Sequence, residues 1–598
     1  MDCFKSYVTN ISWERIHLFI NVKVEQMIDF PNIEFYLINS NWEVETTFKV
    51  EQLAATEYKL ALNITNNGDN RCIDNGKYSI LAYIPEEQYS IVSFEGNVSQ
   101  LESNMRCFRY LNNTGAYTLT FMLDEYNESP VFQIYIYNMV KQAMGNRSPL
   151  SCIEKAPKRL SEKIYEKLTN KIKSAIKKRK KKIKRKVQRI YYTLFENLNF
   201  LKNKQRKTIL FLSAQDDKLA LNMEALYNRM LERGLDKKYN FLFSLRKATS
   251  EKQSIISTLR MLRYMAMAEI ILVDDHIPVL DWLVLNKETK IIQIWHAGAG
   301  FKGVGYSRWG HFGCPGPFSC HRQYTYSIAG SSNIAPFFSE QFGILDEQVI
   351  PTGMPRMDQF LNKENRRDVT EKLYELLPEA IDKKVVLFAP TYRGQNRKNA
   401  YYPYEIIDFE ALYQYCLDFN TVIIFKMHPW VAESVPIDNK YKERFFDLNQ
   451  YKNINDLFYI TDVLITDYSS SMYEYSLMRK PMLAFSFDKV QFATSRGFHR
   501  NYDENIPGKI CEKFDELICA LRTNDYEFEK NEKYLKEHFK YVDDQNSDRV
   551  IDWLILNELP HQYKTALEEK LSTREAIRGK SFKYLNPEQV DEDSKQVI

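Results

Sequence analysis

A chain of 598 residues is too long for one hydrophobic core and predicts three or four domains. Its 44% hydrophobic and 14% aromatic content excludes wholesale disorder and fibrous repeats. Net charge is only +4, yet twelve Lys or Arg and no acid fall between Lys171 and Arg189, leaving −8 on the remainder.

The start, MDCFKSYVTN, carries no signal-peptide core, and no run approaches the roughly 18 to 20 apolar residues that span a bilayer. The expectation is a cytoplasmic chain whose nine scattered cysteines are reduced thiols.

Residues 1–145 read as an all-β, sandwich-like accessory domain of six to eight strands. WERIHLFINVKV, YKLALNIT, YSILAYI and AYTLTFML alternate or run apolar, with turns such as Asn67-Gly68-Asp69 between them. No cluster of His, Cys or carboxylates there suggests chemistry.

Residues 146–206 form a basic helical linker. Ile172, Ile176, Ile183, Val187 and Ile190 recur at spacings of 4, 7, 4 and 3, an apolar stripe on a helix otherwise covered by Lys and Arg. Such a helix suits an anionic membrane surface through 171–189. A polyanionic acceptor or a solvated linker are the alternatives. Nucleic acid is not expected, because interleaved aromatics are missing until Tyr191 and Tyr192.

From 207 the texture becomes alternating short apolar strands and helices, which builds parallel sheets by right-handed crossover. KTILFLSA, NFLFSLR, AEIILVDD and KIIQIW make one set, and VVLFAPT, TVIIFKMHP, DVLITDYSS and PMLAFSF a second, divided near Gly353-Met354-Pro355. The fold class is therefore α/β, with two doubly wound lobes (207–355 and 356–558) facing a cleft and a tail at 559–598. Ligands are expected at the carboxyl ends of the strands.

Chemistry-bearing residues cluster at those ends. His296 follows KIIQIW on a small-residue turn, where an imidazole titrating near neutrality serves as a general base. In the second set, Thr391-Tyr392-Arg393, Met427-His428-Pro429 and Asp467-Tyr468-Ser469-Ser470 end three strands. Together they offer an Arg, a His and hydroxyls at a helix start, as a diphosphate site requires, although the Asp/Ser run also reads as simple N-capping.

FAPTYR, KMHP, GMPRMD at 353–358, ITDYSSSMYEYSLMRKPMLAFSFD and Arg496-Gly497-Phe498 followed by Pro507-Gly508 are each weak alone. In this order, over 207–555, they resemble the CDP-glycerol glycerophosphotransferase family, the teichoic-acid primases and polymerases with a GT-B fold. The resemblance implies attack by an acceptor hydroxyl on the polyol-bearing phosphorus of CDP-glycerol or another CDP-polyol, with release of CMP. The family's two essential histidines fall on His296, the candidate base, and on His428.

His428, Arg393, Ser469 and Ser470 would then neutralise the diphosphate, Asp467 would orient the Ser loop, and Glu474 would hold a ribose or polyol hydroxyl. Thr391 and Arg496 join the donor side, and Gly298, Lys302, Gly353 and Arg356 are further cleft candidates. The loop Ala297-Gly298-Ala299 looks like that of a subset including polymer-extending and ribitol-phosphate enzymes, which brings CDP-ribitol in beside CDP-glycerol.

The implied partners are a lipid-linked polyol-phosphate acceptor and the cytoplasmic face of the membrane; a homo-oligomer is compatible. A nucleotide-sugar glycosyltransferase and a non-catalytic polymer-binding adaptor are the rival readings. No cofactor is expected. His311, Cys314, Cys320 and His321 match no standard zinc spacing, and Asp274-Asp275-His276 reads as capping before a divalent-metal site. No phosphate-binding P-loop or dinucleotide fingerprint follows a strand.

Overall fold

The computed structural model describes residues 4–585, except 26–32, 86–87, 97, 111–114, 127–128, 141–159, 199–205, 248–252, 299–301, 312, 395–396 and 496. The boundary expected near 145 and the candidate Arg496 lie outside the described residues.

Among the described residues the N-terminal region forms a sheet of twelve strands, more than the six to eight expected. The additional strands are short, such as Val44–Thr47, Gln88–Ile91 and Ser93–Phe94, and too brief to carry an alternating run. Longer strands behave as their pattern demands: in His17–Glu25, Leu18, Ile20, Val22 and Val24 are buried between half-exposed neighbours.

This sheet packs on the first lobe. Trp309 stacks on Tyr110 at 5.5 Å, and Glu340 meets Arg15 at 3.0 Å and His17 at 3.1 Å. The end of the chain returns to it as well, with Phe582 N–H donating to Trp42 O at 2.8 Å. The expected tail thus contains a helix, His561–Ile577, and a docked segment.

Each lobe carries a six-stranded parallel sheet. Numbered in chain order, the first lobe runs 2-1-3-4-5-6, its strands Lys207–Leu212, Tyr239–Ser244, Ile270–Val273, Lys290–Gln293, Tyr326–Ile328 and Val349–Ile350. The second runs 3-2-1-4-5-6, from Lys384–Phe388, Thr421–Phe425, Phe445–Asp447, Val463–Thr466, Met482–Phe485 and Lys509–Cys511. Their central strands are buried on both faces, which is why they read as continuous apolar runs.

Residues 546–555 cross back to the first lobe rather than staying with the second, to which 356–558 was assigned. Val550, Ile551 and Leu554 are fully buried, Arg233 pairs with Asp548 at 2.9 Å and Asp552 at 2.6 Å, and Lys290 Nζ donates to Leu554 O. Gly353 makes this crossing fit: its φ is 81°, and a Cβ there would lie 1.7 Å from the Asn546 side chain.

The basic helix spans Leu160–Asn197, and its last turns lean on the first lobe through buried Gln188 and Tyr192. Arg185 sits over the Trp282 ring at 5.6 Å and Arg189 donates to Trp282 O at 2.8 Å. On the opposite side Ile183, Val187, Ile190 and Leu194 are 54–58% exposed, a continuous apolar stripe in water. The side chains of Ile172 and Ile176 lie outside the described residues. Among the described residues no helix is long and apolar enough to cross a membrane.

Candidate active site between the two lobes

The first-lobe wall is built on the turn after Lys290–Gln293. Gln293 accepts from Trp295 N–H at 2.9 Å, and Asn222 Nδ2 donates to the Ile294 and Trp295 carbonyls at 2.9 and 2.6 Å. These bonds hold Trp295 at φ 33°, a left-handed conformation that costs a non-glycine residue about 1 kcal/mol. His296 is thereby turned out of the strand direction at its carboxyl end.

His296 Nδ1 lies 3.2 Å from Asp274 O and 3.0 Å from Gln215 Nε2, and Gln215 also donates to Asp275 Oδ2 at 3.0 Å. With the Asp274 carbonyl as partner the proton sits on Nδ1 and Nε2 carries the lone pair, whereas the Gln215 amide as donor requires the reverse, so these neighbours accommodate both tautomers. Burial holds the imidazole below its ordinary value; Asp275 and the Asp274 carbonyl oppose that, while Arg356 and Lys302 reinforce it. A neutral imidazole with an unprotonated Nε2 is what a general base needs.

In the second lobe Asp467, fully buried, organises the strand ends. It accepts from Thr391 N–H at 2.7 Å, Tyr468 N–H at 2.6 Å and Arg393 Nη1 at 2.9 Å. These bonds tie together the ends of the strands Lys384–Phe388 and Val463–Thr466.

Arg393 corrects an expectation. Its guanidinium is paired bidentately with Asp488 at 2.6 and 2.8 Å, bonded to Asp467 and Thr391 O, and surrounded by Tyr402, Tyr468 and Phe487. Burial disfavours its charge, but Asp467 and then Asp488 hold it protonated. Four of its five N–H groups are committed, so it braces the strand ends instead of neutralising a diphosphate.

Glu474 also differs from expectation. Its carboxylate is buried and ion-paired with Arg356, so it is not presented to a ribose or polyol hydroxyl. Arg356 Nη1 donates at the same time to His296 O at 2.7 Å. The helix that carries Glu474, Ser471–Ser476, has six residues, too few for a strong dipole at its start. Ser469 Oγ accepts from Ser471 N–H at 3.3 Å and Ser471 Oγ at 2.8 Å, the capping alternative, while Ser470 is half-buried and makes no cap bond.

His428 accepts from Trp430 N–H at Nδ1 (3.2 Å), which places its proton on Nε2, and its ring packs on Tyr392 at 4.6 Å. Thr391 Oγ1 is buried and has no hydrogen-bond partner among the described residues. Across the lobes, Lys302 bridges to Phe498 through the backbone, and a Cβ on Gly298 would lie 2.5 Å from the Tyr473 ring. The fold thus joins His296, Gly298 and Lys302 to the second lobe, His296 through Arg356, and gathers Thr391, Arg393, Asp467 and Ser469 within that lobe.

Gln215, Asn222, Asp488 and Tyr473 went unnoticed in the sequence. Asp488 and Gln215 follow strands, the position that flagged the others; Asn222 and Tyr473 lie in helices and carry no such signal. As for metal, His276, Asp281 and Cys320 bring three ligand-type atoms within 4.8 Å of one another. Asp281 is already engaged there by the His276 ring at 3.0 Å and Cys320 N–H at 2.9 Å.

Two facing doubly wound lobes, with a neutral imidazole on one and a braced loop of hydroxyls and a second imidazole on the other, define a GT-B-type transferase. The solved wall teichoic acid polymerase TagF shares this fold, with a TM-score of 0.50 and 22% identity over 66% of this chain and 99% of that one. The profile of the CDP-Glycerol:Poly(glycerophosphate) glycerophosphotransferase family matches residues 194–556.

Teichoic acid ribitol-phosphate polymerase TarL of Staphylococcus aureus is 32% identical over 570 residues, covering 92% of this chain and 98% of its own. Teichoic acid ribitol-phosphate polymerase TarK of the same organism is 37% identical over 365 residues, 60% of this chain and 71% of its own. The chain belongs to the CDP-glycerol:poly(glycerophosphate) glycerophosphotransferase family and is a polyol-phosphate transferase.

Proposed function

We propose that this protein extends a teichoic acid chain by moving ribitol phosphate from CDP-ribitol to the terminal hydroxyl of a lipid-linked polyol-phosphate acceptor, releasing CMP. The observation that carries the transfer chemistry is His296, held at the strand end by the Asp274 carbonyl and Gln215 and kept below its ordinary pKa by burial. The choice of ribitol over glycerol rests on the similarity to TarL across nearly the whole of both chains.

In this reading the acceptor hydroxyl attacks the polyol-bearing phosphorus and its proton passes to His296 Nε2. The phosphoanhydride bond breaks with its electron pair on the CMP oxygen, where His428 Nε2–H and the hydroxyls of Ser470 and Thr391 stabilise the growing charge. Arg393 and Asp467 act as positioning residues. A cavity of about 340 Å³ bordered by Tyr392, Tyr401, Phe487 and Gln491 is the candidate nucleoside pocket.

The exposed stripe of Ile183, Val187, Ile190 and Leu194, flanked by Lys and Arg, supports peripheral docking on an anionic membrane at its cytoplasmic face. The test of function is CMP release and product length from CDP-ribitol and CDP-glycerol, each with a lipid-linked primer. CMP from CDP-glycerol alone overturns ribitol; no CMP from either, with UMP or UDP from a UDP-sugar, overturns the reaction class.

A further inference from the structure

A cavity of about 350 Å³ lies between the inner face of the basic helix and the first lobe. Lys181, Lys184 and Arg185 border it from the helix and Arg246 from the loop after Tyr239–Ser244, and among the described residues no Asp or Glu lines it. Its floor includes Ser213 and Ser244, at the carboxyl ends of the two neighbouring strands Lys207–Leu212 and Tyr239–Ser244.

Ser213 ties this cavity to the reaction centre. Its Oγ donates to Asp274 Oδ2 at 2.8 Å, the residue whose carbonyl holds His296, and Gln215, two residues on, approaches the His296 ring. The cavity is therefore on the acceptor side, away from the second-lobe loops that take the donor. The helix residues that border it lie off the exposed apolar stripe, with Lys181 and Lys184 themselves exposed to solvent and Arg185 half-buried.

We propose that this cavity is a subsite for the growing polymer, binding phosphodiester groups a few units behind the hydroxyl that attacks. A polyol-phosphate chain carries one negative charge per repeat, and a row of cations without carboxylates pairs with successive phosphates. Gln253, which also lines the cavity, supplies an amide partner for the intervening polyol hydroxyls. The subsite rests on the polyol-phosphate reading above and deepens it: the cavity retains the product between additions and favours long acceptors over short ones.

The test uses the full-length protein and soluble, lipid-free polyol-phosphate acceptors of one unit and of about ten units. In Lys184→Ala/Arg246→Ala, the ratio of kcat/KM for the long acceptor to that for the short one is expected to fall about tenfold. Lys184→Arg should largely restore it, and the products of the double variant should be shorter. An unchanged ratio overturns the proposal, whatever happens to overall activity.

Fluorescence anisotropy of a labelled polymer, without donor, separates the two readings. Wild type that binds polymer but releases no CMP sinks the reaction and keeps the subsite. Loss of binding to phosphatidylglycerol vesicles with polymer affinity intact would assign the cations to lipid and overturn it.

Discussion

Arg356 forms a buried ion pair with Glu474 directly beside the candidate base and links it to the first lobe, because the same guanidinium also binds the His296 carbonyl. Removing one partner leaves an uncompensated charge at a site only 4–12% exposed. Glu474→Ala is expected to destabilise the protein by about 3 kcal/mol and to lower kcat at least tenfold. Urea unfolding and steady-state kinetics on the same preparation check both, and Arg356→Lys should not substitute, since it lacks the fork that reaches both partners.

His296→Ala and His428→Ala are each expected to reduce transfer by roughly a hundredfold or more with little change in Tm. CMP release measures the first effect and thermal unfolding the second. Full activity in both variants would place the chemistry elsewhere in the cleft.

Since burial holds His296 below the ordinary imidazole value of 6.5, its neutral form persists below that pH. The acid limb of kcat/KM is expected there, and activity should rise as pH increases through it. Asp275→Asn removes a charge that opposes the depression, so the limb should move to still lower pH. A shift upward would contradict the assignment.

Asp274 is pushed up to about 6, chiefly by burial. The folded protein then binds this proton more tightly than the unfolded chain does, so Asp274 loses stabilising effect as pH rises from about 4 to about 6. Asp274→Asn should flatten that slope in chemical denaturation carried out across the acid range.

Arg393 tests the reassignment to a bracing role. Arg393→Gln leaves Asp467 and Asp488 facing each other without their cation and is expected to cost about 3 to 5 kcal/mol. The KM for the CDP-polyol in the remaining folded protein should change less than threefold. A large KM increase with unaltered Tm would return Arg393 to the donor phosphates.

Much of this was legible in the sequence because parallel α/β lobes write themselves locally. A strand buried on both faces is a continuous apolar run, and its carboxyl end is where ligands bind, so His296, Thr391, His428 and Asp467 stood out from position alone. The basic helix was equally plain, since charge and a period near 3.6 are local properties.

Which partner each side chain takes depends on residues far away in the chain, and only the tertiary structure decided it. Arg393 meets Asp488 from 95 residues on, Arg356 meets Glu474 from 118 residues on, and Gly353 makes room for Asn546. Position at a strand end and the family resemblance suggested a phosphate ligand in Arg393, and the resemblance a ribose or polyol ligand in Glu474, whereas burial makes both partners in internal ion pairs. Composition and spacing thus determined the lobes, the cleft and its histidines, whereas long-range packing decided which of the charges remain available to a substrate.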